Sequence, residues 1–154
     1  MTIEKSVHRT LAVDANNSTW DILGKPTAEI SLDDAEEMTR RAYAAAYHWE
    51  RAEGYAPVNG ARADWLLSRV WAVRGNGPAA LHHAQRCLEA CDSHGLNDFD
   101  RAYAHEAMAR ALACIGDHSP AREHLENAKW VPIADPEDKA LVDSDLAAEP
   151  WFGL

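Results

Sequence analysis

Residues that fill β-sheets are scarce in this chain of 154 residues. It contains 7 Val and 5 Ile against 29 Ala, whereas the pleated faces of a sheet need β-branched and aromatic side chains. The composition therefore predicts an all-α protein. The length predicts one domain that spans residues 1–154.

Basic residues are also in short supply, and long apolar runs are missing. There are 15 Lys and Arg against 25 Asp and Glu, a formal charge of -10, which disfavours nucleic acid and anionic membrane surfaces as partners. No apolar run approaches the roughly 20 residues of a membrane span, and the first 30 residues lack the apolar core of a secretion signal. We therefore expect a cytoplasmic protein of bacterial type that binds neither nucleic acid nor membranes.

Few residues point directly to chemistry. The three cysteines are an odd number in a chain large enough to fold without disulfides, so we expect reduced thiols. The sequence has no Gly-rich phosphate loop, no HExxH and no GxSxG. It therefore predicts no cofactor and leaves open whether the protein is an enzyme.

Helix boundaries are easier to read. Ser31 with Asp34 resembles a capping box, and Asn97 precedes an acidic first turn. Glycines that follow stretches of helical apolar spacing mark helix ends; they are Gly24, Gly54, Gly75, Gly95 and Gly116. These signals predict seven helices, over residues 5–23, 31–53, 60–74, 78–93, 98–115, 119–130 and 136–148.

A repeat becomes visible when the predicted helices are paired. A large residue lies four positions before a glycine, and small residues lie five and twelve positions after it, in two sets: Trp71, Gly75, Ala80 and Cys87, then Leu112, Gly116, Ala121 and Ala128. Small residues at this spacing allow paired helices to approach closely, as in helix-hairpin solenoids. The segments WAVRGNGPAALHHAQRCLEA and LACIGDHSPAREHLENAKW resemble the tetratricopeptide repeat family, although the 41 residues from Gly75 to Gly116 exceed that family's repeat of about 34.

The resemblance implies a right-handed α-α superhelix of three hairpins with a C-terminal capping helix. The hairpins would span residues 5–53, 60–93 and 98–130, and the cap residues 136–148. We expect Ala140, Leu141 and Leu146 to pack the cap inward. An aromatic cluster at the end of the second helix, formed by Tyr43, Tyr47, Trp49 and Tyr55, is expected in the core.

In this register the first helix of each hairpin lines a concave groove. The predicted groove residues are Arg62, Trp65, Arg69, Tyr103, Glu106 and Arg110, with His48 from the first hairpin. Guanidinium groups match carboxylates, so the resemblance favours a scaffold that binds a protein or peptide through acidic groups or a C-terminal carboxylate. The alternative is that these arginines pair with neighbouring acids, for example Arg110 with Glu106, and only hold the repeats in register.

A second class of function uses the same cup. If His48, His83, Glu106 and Arg69 converged, they would supply a base, an acid and an anion holder to a small-molecule site or an enzyme. His83, Cys87 and Cys91 form one helical row that could bind a soft metal with a fourth ligand. The alternative is that Cys87 only packs, since it occupies the small-residue position that Ala128 fills in the next repeat.

The last residues, EPWFGL, place two aromatic side chains after the acidic final helix. Aromatic surface is costly to leave in water, so we expect this stretch to dock on its own body, to cover part of the groove, or to join two copies in a homodimer.

Overall fold

A computed structural model describes residues 2–154, and this part of the chain contains seven α-helices and no strand. A short 3-10 turn, Thr27–Glu29, joins the first two helices. The helices are α1 Lys5–Leu23, α2 Leu32–Trp49, α3 Pro57–Val73, α4 Gly77–His94, α5 Phe99–Ile115, α6 His118–Trp130 and α7 Pro136–Ala147. The all-α prediction is confirmed. None of these helices is both long and apolar enough to cross a membrane.

The capping signals place most helix ends correctly. Ser31 forms the predicted capping box with Asp34, and Gly95 and Gly116 close α4 and α5 with φ of 61° and 94°, a conformation that favours glycine. Gly24 differs, because its φ of -74° is right-handed helical. At α5 the N-cap is Asp98 rather than the predicted Asn97.

The largest boundary error falls between α2 and α3. The predicted helix to residue 53 ends instead at Trp49, and the next helix begins at Pro57 rather than at residue 60. Proline is favoured in the first turn because its missing N–H needs no partner there. Asn59 lies inside that turn, where its side-chain oxygen accepts a hydrogen bond of 2.9 Å from the Ala56 N–H.

Consecutive helices pack as antiparallel neighbours. The Arg41 side chain donates to the Ser18 carbonyl between α1 and α2, and the Ser68 hydroxyl donates to the Ala80 carbonyl between α3 and α4. Three hairpins result, α1–α2, α3–α4 and α5–α6, with α2 against α3, α4 against α5, and α7 against α5. Helix α3 also contacts α5, which brings the first helices of two hairpins together.

Small residues occupy the contacts between helices, as the repeat predicts. Ala80, Cys87, Ala121 and Ala128 are all buried. The helices approach closely at Gly77, where a Cβ atom would lie 2.5 Å from the Ile115 side chain. Helix packing therefore explains these positions without any chemistry.

Helix α7 uses a different face from the predicted one. Val142 is buried, whereas Ala140 is exposed and Leu141 is 57% exposed, so the prediction for those two residues is wrong. The inward stripe runs through Val142 and the half-buried Asp145 and Leu146, at the three- and four-residue spacing of one helix face.

The residues after α7, which we name the terminal segment (148–154), lie against the body of the same chain. Trp151 is 9% exposed, and Phe152 and Leu154 pack on a core cluster formed by α3, α4, α5 and α6. The aromatic pair is therefore covered within one chain.

Candidate functional site

A buried charge network lies at the contact between α3 and α5, and Glu106 is at its centre. Glu106 is 1% exposed, and three side chains donate hydrogen bonds to its carboxylate: the Trp65 indole at 2.8 Å, Arg69 at 3.0 Å and Arg110 at 2.7 Å. Four of the seven predicted groove residues therefore meet at one carboxylate.

The network keeps Glu106 ionised in spite of its burial. Burial by itself raises the pKa of Glu106, but the attraction of Arg110 and Arg69, together with the indole hydrogen bond, outweighs it and leaves the pKa below its usual range. Burial lowers the pKa of Arg110, against the attraction of Glu106. A carboxylate held by two guanidinium groups is a structural element rather than a free acid.

Arg110 also binds the main chain at the end of α7 and in the residues just after it. One guanidinium nitrogen donates to the carbonyls of Ala148 and Pro150 at 3.0 and 2.7 Å, and the other donates to the Asp145 carbonyl at 3.1 Å. The guanidinium carbon lies 4.0 Å from the centre of the Trp151 ring. Together with the Glu106 bond, these contacts engage every nitrogen of Arg110.

Arg62 forms a separate bridge between α3 and α5. It donates two hydrogen bonds to the Asp100 carboxylate, at 2.8 and 3.1 Å. Hydrogen bonding to Asp100 raises the pKa of Arg62. Each of the three predicted groove arginines thus pairs with a carboxylate of the chain itself, which is the arrangement that the register-holding alternative predicts.

Beside these networks lies a cavity of about 550 Å³, which we name the aromatic pocket. Helices α1, α2, α3, α4, α5 and α7 contribute side chains to it, with Cys87 as the contribution of α4. Its wall contains five aromatic rings: Trp20, Trp49, Trp65, Phe99 and Tyr103. The rings of Trp20 and Trp65 are stacked with centroids 5.7 Å apart, and the Tyr103 ring lies 4.9 Å from that of Trp65.

The polar part of the wall includes Arg62, Asp100 and Asp145. The Tyr103 hydroxyl donates to Asp145 Oδ2 at 2.5 Å, and burial together with this contact raises the pKa of Tyr103 well above its usual range. The phenol therefore stays protonated and acts as the donor to the Asp145 side chain.

The predicted groove includes only three of the thirteen residues that line this pocket, Arg62, Trp65 and Tyr103. The residues that it missed include Trp20, Trp49, Phe99 and Asp145. One pattern in the sequence could have located the pocket. The first helix of each hairpin carries an aromatic residue that lines it: Trp20 on α1, Trp65 on α3 and Tyr103 on α5. The prediction of an aromatic core formed by Tyr43, Tyr47, Trp49 and Tyr55 is wrong. Trp49 lines this pocket, and the three tyrosines are 43%, 52% and 44% exposed, in that order.

His48 does not join the groove residues. Its Nδ1 lies 2.7 Å from Nδ1 of the buried His8, between α1 and α2. Burial, and then the neighbouring His8, lower the pKa of His48. The predicted convergence of His48, His83, Glu106 and Arg69 is therefore not observed beyond the Arg69–Glu106 pair.

His83 belongs to a different polar chain, which borders a second cavity of about 650 Å³. Its Nδ1 lies 2.8 Å from Asp64 Oδ1, and its Nε2 lies 3.2 Å from the Tyr43 hydroxyl. Since an ionised carboxylate only accepts, Nδ1 donates to Asp64, and Nε2 shares a hydrogen bond with the Tyr43 hydroxyl. The Trp71 indole donates to the same phenol oxygen at 3.0 Å.

The helical row of His83, Cys87 and Cys91 does not form a ligand set. Cys87 and Cys91 are buried in a cluster with Ala61 and Ala104, and in residues 2–154 no group of three or more His, Cys, Asp or Glu side chains is arranged to hold a metal ion. The hydrogen bond with Cys91, and then burial, raise the pKa of the Cys87 thiol. Cys87 therefore packs as a small, protonated side chain.

Comparisons of this chain with protein-family models, with curated proteins and with solved structures gave no match. Its function is accordingly inferred from the geometry of its own residues.

Proposed function

We propose that this protein is a binding module and that the aromatic pocket is its site. The observation that carries the proposal is a cavity of about 550 Å³ walled by five aromatic rings with only a few polar groups. This volume falls within the roughly 300–1,000 Å³ of small-molecule sites, which combine apolar walls with a few placed polar groups. The ligand we favour is a small organic molecule with an apolar or aromatic body.

The pairing of the arginines argues against a carboxylate as the main determinant. Arg62 is occupied by Asp100, and both Arg69 and Arg110 are occupied by Glu106. An incoming carboxylate would have to compete with the acids that already pair with these arginines; within the described residues only Nε of Arg69 is a buried side-chain donor without a partner. Apolar and aromatic contact therefore supplies most of the binding free energy in this proposal.

A protein or peptide partner is the second candidate. One observation favours it: Arg110 already holds three main-chain carbonyls, those of Asp145, Ala148 and Pro150. This face of the molecule thus holds main-chain carbonyls of a peptide segment, which here is the chain's own end of α7 and the residues after it. A partner would bind by displacing the terminal segment.

We also propose that the three hairpins and α7 form a tetratricopeptide-like superhelix in the cytoplasm. Support comes from the α3–α5 contact and from the pocket, which lies among α1, α3, α5 and α7. In such a stack the first helices of successive hairpins line one surface.

The indole signals of the protein provide a direct test. Six Trp residues are present; Trp20, Trp49 and Trp65 line the pocket, whereas Trp71, Trp130 and Trp151 lie elsewhere. Titration with the neutral probe 4-phenylbutan-1-ol, followed by two-dimensional NMR of the indole N–H groups, should shift the first three signals saturably. The other three serve as internal controls.

A variant that obstructs the pocket completes the test. Leu141 is exposed and lines the pocket, so Leu141→Trp should weaken the binding of the probe. Leu32→Trp adds the same side chain at a position that is 88% exposed and outside the pocket wall, and should leave binding unchanged. Uniform small shifts of all six indoles, or equal affinities in both variants, would rule out the pocket as the site.

A further inference from the structure

We propose that the aromatic pocket selects an organic cation, namely an apolar body that carries one protonated or alkylated amine, and that Asp145 meets its charge. This inference rests on the binding role proposed above and adds the charge of the ligand. It follows from the Asp145 carboxylate, which borders the aromatic pocket and forms no ion pair with another residue of the part of the chain that the structure describes.

The two carboxylates of the pocket differ in their partners. Asp100 is matched by the two hydrogen bonds from Arg62. Asp145 accepts only the neutral Tyr103 hydroxyl, at Oδ2, and within residues 2–154 its carboxylate forms no ion pair. The other oxygen, Oδ1, is therefore available to a donor or a cation in the pocket.

The nearest guanidinium group does not serve this role. Arg110 approaches Asp145 through the backbone, since its Nη2 donates to the Asp145 carbonyl oxygen rather than to the carboxylate. Its remaining donors are used by Glu106, Ala148 and Pro150. Arg110 reduces the local negative potential but supplies no hydrogen bond to the carboxylate.

The aromatic rings provide the second half of the recognition. A cation is attracted to the face of an aromatic ring, most strongly to Trp, and Trp20, Trp49 and Trp65 all border the cavity. An anion would meet both the ring faces and Asp145 unfavourably. The formal charge of -10 on the chain further raises the local concentration of cations at low salt.

Three probes that share one body separate charge from shape. They are 4-phenylbutylamine, which is protonated at neutral pH, 4-phenylbutan-1-ol, which is neutral, and 4-phenylbutanoate, which is an anion. Affinities are measured on the full chain from the indole signals of Trp20, Trp49 and Trp65. We expect the amine to bind roughly tenfold more tightly than the alcohol, as a charge-assisted contact would give, and the anion to bind most weakly.

Asp145→Asn tests the assignment of the carboxylate. The amide oxygen still accepts from Tyr103, so the wall is kept while the charge is removed, and the preference for the amine over the alcohol should fall to about twofold or less. Asp143→Asn makes the same change at an exposed position of α7 outside the pocket and should retain the preference. Thermal unfolding confirms that both variants are folded.

The outcomes distinguish this inference from the proposed function. Equal binding of amine and alcohol to the unmodified protein would overturn the cation inference and leave the pocket as a binding site. Loss of the amine preference in both variants would show a general charge effect and would also overturn the role of Asp145. No response of the three indoles to any probe would overturn both proposals.

Discussion

Removing the charge of Glu106 should be among the most destabilising single changes in this protein. Glu106→Gln keeps the shape of the side chain, so no cavity is created. It replaces one carboxylate oxygen by an NH₂ group, which then faces donors of Trp65, Arg69 or Arg110. Two guanidinium groups are left without their counterion in a site where Arg110 is 1% exposed.

The magnitude follows from burial. Breaking a buried ion pair by removing one partner costs about 3–5 kcal/mol, because the remaining charge stays desolvated. The whole stability of a domain is about 5–15 kcal/mol. At roughly 2–4 °C per kcal/mol for a domain of this size, Tm should fall by roughly 6–20 °C.

Urea unfolding followed by circular dichroism measures the change in the free energy of unfolding. The matched control is Glu126→Gln, which removes an exposed acid paired with Lys129 and should leave the free energy of unfolding nearly unchanged, because exposed ion pairs contribute little to stability. The pH dependence adds a second readout. The pKa of Glu106 is lowered in the folded state, so its contribution is present above its unfolded pKa and is lost as the pH falls through the folded value. A loss in Glu106→Gln no larger than in the control would refute the view that this network stabilises the fold.

Two further predictions concern the histidines and the terminal segment. Burial lowers the pKa of His48, His105 and His124, so the stability that these neutral rings contribute is complete above about pH 6.5 and is lost as the pH falls. The free energy of unfolding in urea should therefore be lower at about pH 5.5 than at about pH 7.5. Equal free energies at the two pH values would contradict this prediction. Deletion of residues 149–154 removes the buried Trp151 and should lower the free energy of unfolding by about 3–5 kcal/mol, as measured by urea unfolding. Light scattering of the same variant tests the predicted homodimer. A fall in mass would assign the segment to an interface between copies. An unchanged mass together with unchanged stability would show that the segment neither joins two copies nor stabilises its own chain.

Local chemistry explains what the sequence could predict. Ser31, Gly95 and Gly116 act on the residues next to them, so their effect on helix ends is readable without knowledge of the fold. The repeat spacing of small residues likewise placed Ala80 and Ala121 in buried contacts. These signals were sufficient for the helix count and for the hairpin order.

The spacing of the groove residues predicted which of their side chains lie close together, but not which acids the arginines pair with. It brought Arg69, Glu106 and Arg110 to one place, as observed. A helical pattern does not reveal which acid a guanidinium group will pair with. Arg62 pairs with Asp100, but the same pattern is compatible with an Arg62 that has no partner. Partner choice depends on how α3 and α5 are aligned along their axes, and that alignment is a tertiary property.

The rest of the site required the positions of distant helices. Trp20 on α1 and Asp145 on α7 reach the pocket from opposite ends of the chain, so no local pattern connects them. The inward face of α7 was wrongly assigned to Leu141 because one step along a helix rotates the side chain by about 100°. Apolar residues in such a short acidic helix do not distinguish adjacent faces.

The carbonyl contacts of Arg110 have a consequence for cooperativity. Most contacts in a stack of hairpins are local, so each hairpin could open with little effect on the next. Here the Trp65–Glu106 and Arg110–Pro150 bonds join residues 41 and 40 positions apart. If the end of the stack detached, Arg110 would lose three acceptors while its charge stayed buried beside Glu106. Fraying of the last helix is therefore coupled to the interior, and the hairpins from α3 onward should unfold as one unit.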